Sequence, residues 1–188
     1  MRILMLGNSF TTSQGLPERL GELLGAEAVV HARGGARLAE QLNPKTKMGA
    51  RTLTALDEER WDYLILQEMS TGPLVSPASF ERSVHGLCSL AREHGIQPVL
   101  FETWACRPGS KRMEALPWSY EEMHEGLVRA YRDCASQNGA LLAEVGEAFF
   151  QSPDPDALYA ADGRHPSAAG AALAAEVLAQ TIREHEAS

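Results

Sequence analysis

Cysteine occurs only three times in the 188 residues. An odd count in a chain of this size speaks against a disulfide framework and for a reducing compartment. Long apolar runs are missing as well. No segment approaches the ~18–20 continuous apolar residues of a membrane span. The N-terminal run Ile3-Leu4-Met5-Leu6 is four residues long, shorter than the ~7–15 residues of a signal h-region. It reads as a first strand, and together these absences lead to the expectation of a cytoplasmic protein. Positive charge is in deficit, with 17 Lys plus Arg against 25 Asp plus Glu and a formal net charge of −8. Nucleic acid and anionic membrane, which both call for a positive face, are therefore not expected partners. There is no internal repeat and no Pro/Gly/Ser-rich linker, so residues 1–188 read as a single domain. A chain of that length buries about 70% of its unfolded surface without staples.

What is present is an alternation of short apolar runs and amphipathic stretches. Ile3–Leu6, Ala28–His31, Tyr63–Leu66, Pro98–Phe101 and Leu141–Ala143 have the near-continuous apolar character of strands covered on both faces. Leu16, Leu20, Leu23 and Leu24 recur at helical spacing, as do Phe80, Val84, Leu87 and Ala91 behind Ser76-Pro77. Ser119-Tyr120-Glu121-Glu122 has capping-box spacing ahead of Met123, Leu127, Tyr131 and Cys134. A last helix starts near Pro166 and carries Leu173, Val177, Leu178 and Ile182. This alternation predicts a three-layer α/β/α sandwich with about five parallel strands, because parallel strands need crossover connections. Asn43–Arg51 and Ala105–Trp118 lack periodicity and are expected to be loops.

In such a sheet the loops that leave the carboxyl ends of the strands form the ligand crevice. Here they carry Gly7-Asn8-Ser9, then Arg33-Gly34-Gly35, then Gln67-Glu68-Met69-Ser70, then Glu102-Thr103-Trp104-Ala105-Cys106, and finally Asp162-Gly163-Arg164-His165 before the last helix. A serine hydroxyl becomes a nucleophile when a base accepts its proton. His165 suits that task, and Asp162 three residues earlier can orient it. Donors to an oxyanion are available from the backbone N–H of Ser9, a glycine of the Gly34-Gly35 turn, and the Gln67 amide.

These blocks, in this order and at these strand ends, resemble the SGNH/GDSL hydrolases. Gly7-Asn8-Ser9 resembles the opening Gly-Asp-Ser block and Asp162-x-x-His165 the final one. Gly34-Gly35 resembles the second block, and Gln67 falls where the family usually has asparagine. The resemblance implies a flavodoxin-like sandwich and esterase chemistry, with Ser9 as nucleophile, His165 as base and Asp162 as its orienting acid. It further implies an oxyanion hole of Ser9, Gly35 and Gln67. Asn8 in place of aspartate and Gln67 in place of asparagine are departures from the pattern.

Trp104, Asn8 and Glu68 are the candidates for substrate contact, with packing under the Ala105–Trp118 loop as the alternative for Trp104. Glu102 is expected to flank the same edge. The other histidines have no partner at metal-ligand spacing, so neither a metal nor another cofactor is expected. Cys88 and Cys134 fall on apolar helix stripes, and Cys106 alone sits in a crevice loop. The expected activity is cleavage of a carboxylic ester, a short acyl or acetyl ester of a carbohydrate or other polar alcohol, so that a small-molecule ester is the expected partner. Two other readings stand beside it: an inactive sandwich that binds a glycan, and a flavodoxin-like nucleotide or flavin binder. The latter lacks a Gly-x-x-x-x-Gly-Lys loop, although Thr11, Thr12 and Ser13 supply hydroxyls at a helix start.

Overall fold

A computed structural model describes residues 1–188. The five apolar runs form strands: β1 Arg2–Gly7, β2 Glu27–Ala32, β3 Tyr63–Leu66, β4 Gln97–Phe101 and β5 Leu141–Ala143. All neighbouring pairs are parallel, in the order β2-β1-β3-β4-β5. The first strand therefore lies inside the sheet, flanked by β2 and β3. The order turns back at β1, and that is the place where doubly wound sheets open a crevice.

Ten helices connect and cover the sheet. In chain order they are α1 Ser9–Thr12, α2 Leu16–Leu24, α3 Leu38–Gln41, α4 Lys47–Glu58, α5 Gly72–Val75, α6 Pro77–Glu93, α7 Lys111–Glu114, α8 Tyr120–Asn138, α9 Val145–Phe150 and α10 Ala168–Glu186. Strand alternation sorts the core into two layers. Leu4, Leu6, Leu64, Leu66 and Leu100 join Phe80, Val84, Leu127 and Tyr131 on the α6–α8 side. Ile3, Met5, Ile65, Val99 and Phe101 join Phe10, Leu20, Phe149, Leu178 and Ile182 on the α2–α10 side. No helix is long and apolar enough to cross a membrane.

Local signals act as expected at most helix ends. Ser119 and Glu122 form the reciprocal capping box of α8. Pro77 opens α6, but Ser76 at the cap position makes no side-chain cap bond. Ser167, just after Pro166, caps α10 by accepting from Gly170 N–H at 3.1 Å.

Two expected loops are partly helical. The second half of Asn43–Arg51 begins α4, capped by Thr46, whose Oγ1 accepts from Gly49 N–H at 2.9 Å. The buried face of α4 is Gly49, Thr52, Ala55 and Leu56, and such small residues leave almost no apolar periodicity to read. Within Ala105–Trp118, Ser110 caps the one-turn helix α7.

Candidate active site

The carboxyl ends of β1, β2 and β3 bring three loops together, and the turn before α10 closes over them. Gly7 must be glycine because a Cβ there would stand 2.2 Å from Thr11 Oγ1 and 2.7 Å from Gln67 Oε1. The sharp exit it permits places Ser9 at the first position of α1, where a backbone N–H has no intrahelical acceptor.

Ser9 Oγ lies 2.8 Å from His165 Nε2. The other ring nitrogen, Nδ1, is 2.5 Å from Asp162 Oδ2. Asp162 Oδ1 accepts from the backbone N–H groups of Arg164 and His165 at 3.0 and 2.9 Å. Its partial burial pushes the carboxyl pKa up, but the bonds from the His165 ring and from these two N–H groups outweigh burial and hold it at about 2. Asp162 is therefore an anion at neutral pH, aimed at the imidazole. The turn itself is pinned on several sides. Ala160 N–H donates to His165 O at 2.8 Å, Arg107 N–H donates to Gly163 O at 2.8 Å, and Trp104 Nε1–H donates to Arg164 O at 3.0 Å.

A small cavity of about 30 Å³ adjoins Ser9, lined by Asn8, Ser9, Phe10, Gly35, Met69, Ser70 and Arg164. Gly35 has φ +69°, a conformation that glycine tolerates freely, and its N–H makes no hydrogen bond within the chain. A far larger cleft of about 790 Å³ lies beside α8 and the start of α9, walled by charged residues such as Arg132, Glu144 and Glu147. It is remote from Ser9 and holds no nucleophile paired with a base.

Several residues expected at the crevice are instead turned inward. Gln67 is fully buried. Its Oε1 accepts from Asn8 N–H at 3.0 Å and from Thr11 Oγ1–H at 2.9 Å, while its Nε2 donates to the Glu68 carbonyl. Gln67 thus braces the Asn8–Thr11 turn from below and does not line the cavity. Asn8 is buried too: Oδ1 accepts from Phe10 N–H at 3.1 Å and Nδ2 donates to Ala36 O at 3.2 Å. It caps α1 and ties the Ser9 turn to the second loop.

Glu68 is 3% exposed, and its carboxylate accepts from Met69 N–H at 2.7 Å and Leu38 N–H at 3.3 Å. Burial raises its pKa, partly offset by those two bonds and by Arg37. Glu102 is completely buried; Oε1 accepts from Glu147 N–H at 2.9 Å and Oε2 has no partner. Burial, with Glu144 and Glu147 nearby, pushes its pKa to about 7. Trp104 is 1% exposed, stacked between Phe10 at 4.7 Å and Phe149 at 4.2 Å. It supports the site from beneath rather than lining it. Cys106 is buried, with its thiol pKa raised by burial.

Two of the three hydroxyls that suggested a phosphate site are committed elsewhere, Thr11 to Gln67 and Ser13 to the Ser9 carbonyl at 2.5 Å, and Thr12 is exposed. Most of the other histidines have structural partners. His31 Nδ1 lies 2.9 Å from Thr52 Oγ1, and His124 pairs with Glu147 at 3.1 Å while stacking on Phe150. No group of side chains has the makings of a metal site. Met69, Ser70 and Arg164 are cavity residues that sequence reasoning did not single out, although each sits inside a block it had placed at the crevice.

The sequence profile of the GDSL-like lipase/acylhydrolase family matches residues 5–173. A solved protein from Slackia heliotrinireducens, assigned to the SGNH hydrolases, is 52% identical with a TM-score of 0.94, covering 97% of this chain and 98% of its own. A DUF4886 family protein from Bacteroides uniformis is 21% identical with a TM-score of 0.76, over 98% of this chain and 83% of its own. A lipase/acylhydrolase from Enterococcus faecalis is 17% identical with a TM-score of 0.71, over 98% and 97%. The last two are likenesses of fold. No curated protein matches the chain.

Proposed function

We propose, for a chain that belongs to the GDSL-like lipase/acylhydrolase family and is thereby an esterase-type hydrolase, a reaction that removes a short acyl group, acetyl above all, from a hydroxyl of a carbohydrate or other polar alcohol. The observation that carries this reading is the unbroken chain from Ser9 Oγ to His165 Nε2 at 2.8 Å and from His165 Nδ1 to Asp162 at 2.5 Å, beside a cavity of about 30 Å³. That space holds only a very small group or one or two waters. A space this confined beside Ser9 favours a small acyl group such as acetyl over a long chain.

In this mechanism His165 takes the Ser9 proton on Nε2 while Oγ attacks the ester carbonyl carbon. The carbonyl π pair moves to oxygen, and the oxyanion meets the N–H groups of Ser9 and Gly35. Collapse of the intermediate breaks the bond to the alcohol, which leaves with the proton from His165. Water then repeats the sequence on the acyl-enzyme, releasing the carboxylic acid and restoring Ser9. The anionic Asp162 stabilises the imidazolium formed at each attack. Residues 1–188 act as one catalytic unit, since Ser9 and His165 come from opposite ends of the chain.

Two measurements test the reading. Ser9→Ala abolishes turnover of p-nitrophenyl acetate and labelling by a fluorophosphonate, with an unchanged fold by circular dichroism. Across acetyl, butyryl and octanoyl esters, kcat/KM is highest for acetyl, and a preference for octanoyl refutes the acyl assignment.

A further inference from the structure

An oxyanion hole in this site lacks its expected side-chain donor, because Gln67 is fully buried, does not line the cavity beside Ser9, and turns its amide to Asn8, Thr11 and the Glu68 carbonyl. The same third loop offers a replacement. Ser70 is 5% exposed and lines the cavity with Ser9 and Gly35. Its hydroxyl has one polar contact in the chain, the Met69 sulfur at 3.8 Å. A thioether is a weak acceptor, and Thr71 already directs both its N–H and its Oγ1 at that sulfur, each at 3.4 Å. A buried hydroxyl without a good acceptor is costly to maintain unless a ligand completes it.

The backbone around Ser70 is anchored from both sides. Glu68 holds Met69 N–H at 2.7 Å, and Gly72 N–H donates to Met69 O at 2.7 Å. Glu68 also holds Leu38 N–H at 3.3 Å, three residues beyond Gly35, so one buried carboxylate sets the spacing of the second and third loops. The donors of the two loops are thus fixed relative to each other before any substrate arrives, as electrostatic stabilisation of a transition state requires.

We propose that Ser70 Oγ–H is the side-chain donor to the substrate oxyanion, standing in for Gln67. The assignment rests on Ser9 being the nucleophile. Ser70→Ala is expected to lower kcat for p-nitrophenyl acetate by about 10²-fold, the usual cost of losing one such donor, with KM within about twofold. Ser70→Thr, which keeps the hydroxyl, recovers most of the loss. The decisive comparison uses p-nitrophenyl thionoacetate, in which sulfur, a weak acceptor, replaces the carbonyl oxygen. Wild type prefers the oxygen ester, and Ser70→Ala loses that preference by about the factor it loses in kcat. Where the alanine variant folds poorly, Ser70→Cys supplies a near-isosteric side chain with a weak donor for the same comparison. A kcat within about threefold of wild type, or a loss that leaves the oxygen-over-sulfur preference intact, overturns the assignment while Ser9→Ala stays inactive. Turnover by Ser9→Ala instead overturns the nucleophile reading and this one with it.

Discussion

Glu102 gives the sharpest test of how this fold treats a buried charge. Its carboxyl is fully buried at the end of β4, one oxygen on Glu147 N–H and the other unpartnered, with a pKa pushed from 4.5 to about 7 chiefly by burial. The folded chain therefore holds Glu102 protonated at pH values where the unfolded chain has released the proton. The resulting stabilisation is fully present below pH 4.5, is lost as pH rises toward about 7, and changes little above that. At ~1.4 kcal/mol per pH unit, the loss across this window is on the order of 3 kcal/mol. Glu102→Gln is neutral throughout and retains an oxygen for Glu147 N–H. Urea unfolding of both proteins at half-unit steps from pH 4.5 to 8 isolates the effect of Glu102 and its coupling to Glu144 and Glu147, because titrating groups that do not interact with it cancel in the difference. The variant is expected to gain on wild type by about 3 kcal/mol between the ends of the range. That corresponds to roughly 6–12 °C in Tm for a chain of this size. Parallel stability curves, or a variant that loses ground as pH rises, would refute the reasoning.

Two further substitutions probe the supports of the site. Trp104→Phe keeps the stack between Phe10 and Phe149 but removes the donor to Arg164 O, so it lowers stability by about 1–2 kcal/mol. KM for p-nitrophenyl acetate stays within twofold, whereas a tenfold rise in KM at unchanged stability returns Trp104 to the substrate pocket. Gly7→Ala forces a Cβ to within 2.2 Å of Thr11 Oγ1 and costs about 1–3 kcal/mol in thermal melts. Thr11→Ala in the same chain relieves part of that cost, and strictly additive losses in the double mutant contradict the clash.

The sheet was readable because each strand holds a short apolar run, buried in β1, β3 and β4 and half-buried in the edge strands β2 and β5. The Ser9, Asp162 and His165 blocks were readable because their spacing is local and their places follow from strand order. The short helices were not, since a single turn such as α3, α5 or α7 carries too few residues to show a period. The inward turn of Gln67 and Glu68 follows from alternation along β3. Gln67 continues the face of Ile65, toward Phe10 and α1, while Glu68 continues that of Leu66, toward Tyr131. A motif marks the strand end where a residue sits; the parity of the strand decides which layer its side chain enters. Placing Ser70 on the cavity wall required the path of a tertiary turn that no propensity encodes.

The position of β1 bears on how the molecule comes into being. The strand that leads to Ser9 precedes the other four in the chain, so both its neighbours and the layer over Ile3 and Met5 are made after it, the last of them being α10. A growing chain cannot seal β1 before those later elements exist, and a separation of 156 positions must be crossed before the Ser9 hydroxyl and the His165 imidazole meet. Contacts of such long sequence separation slow folding and leave apolar surface uncovered in the meantime. The Ser9–His165 contact is then among the last that the fold acquires.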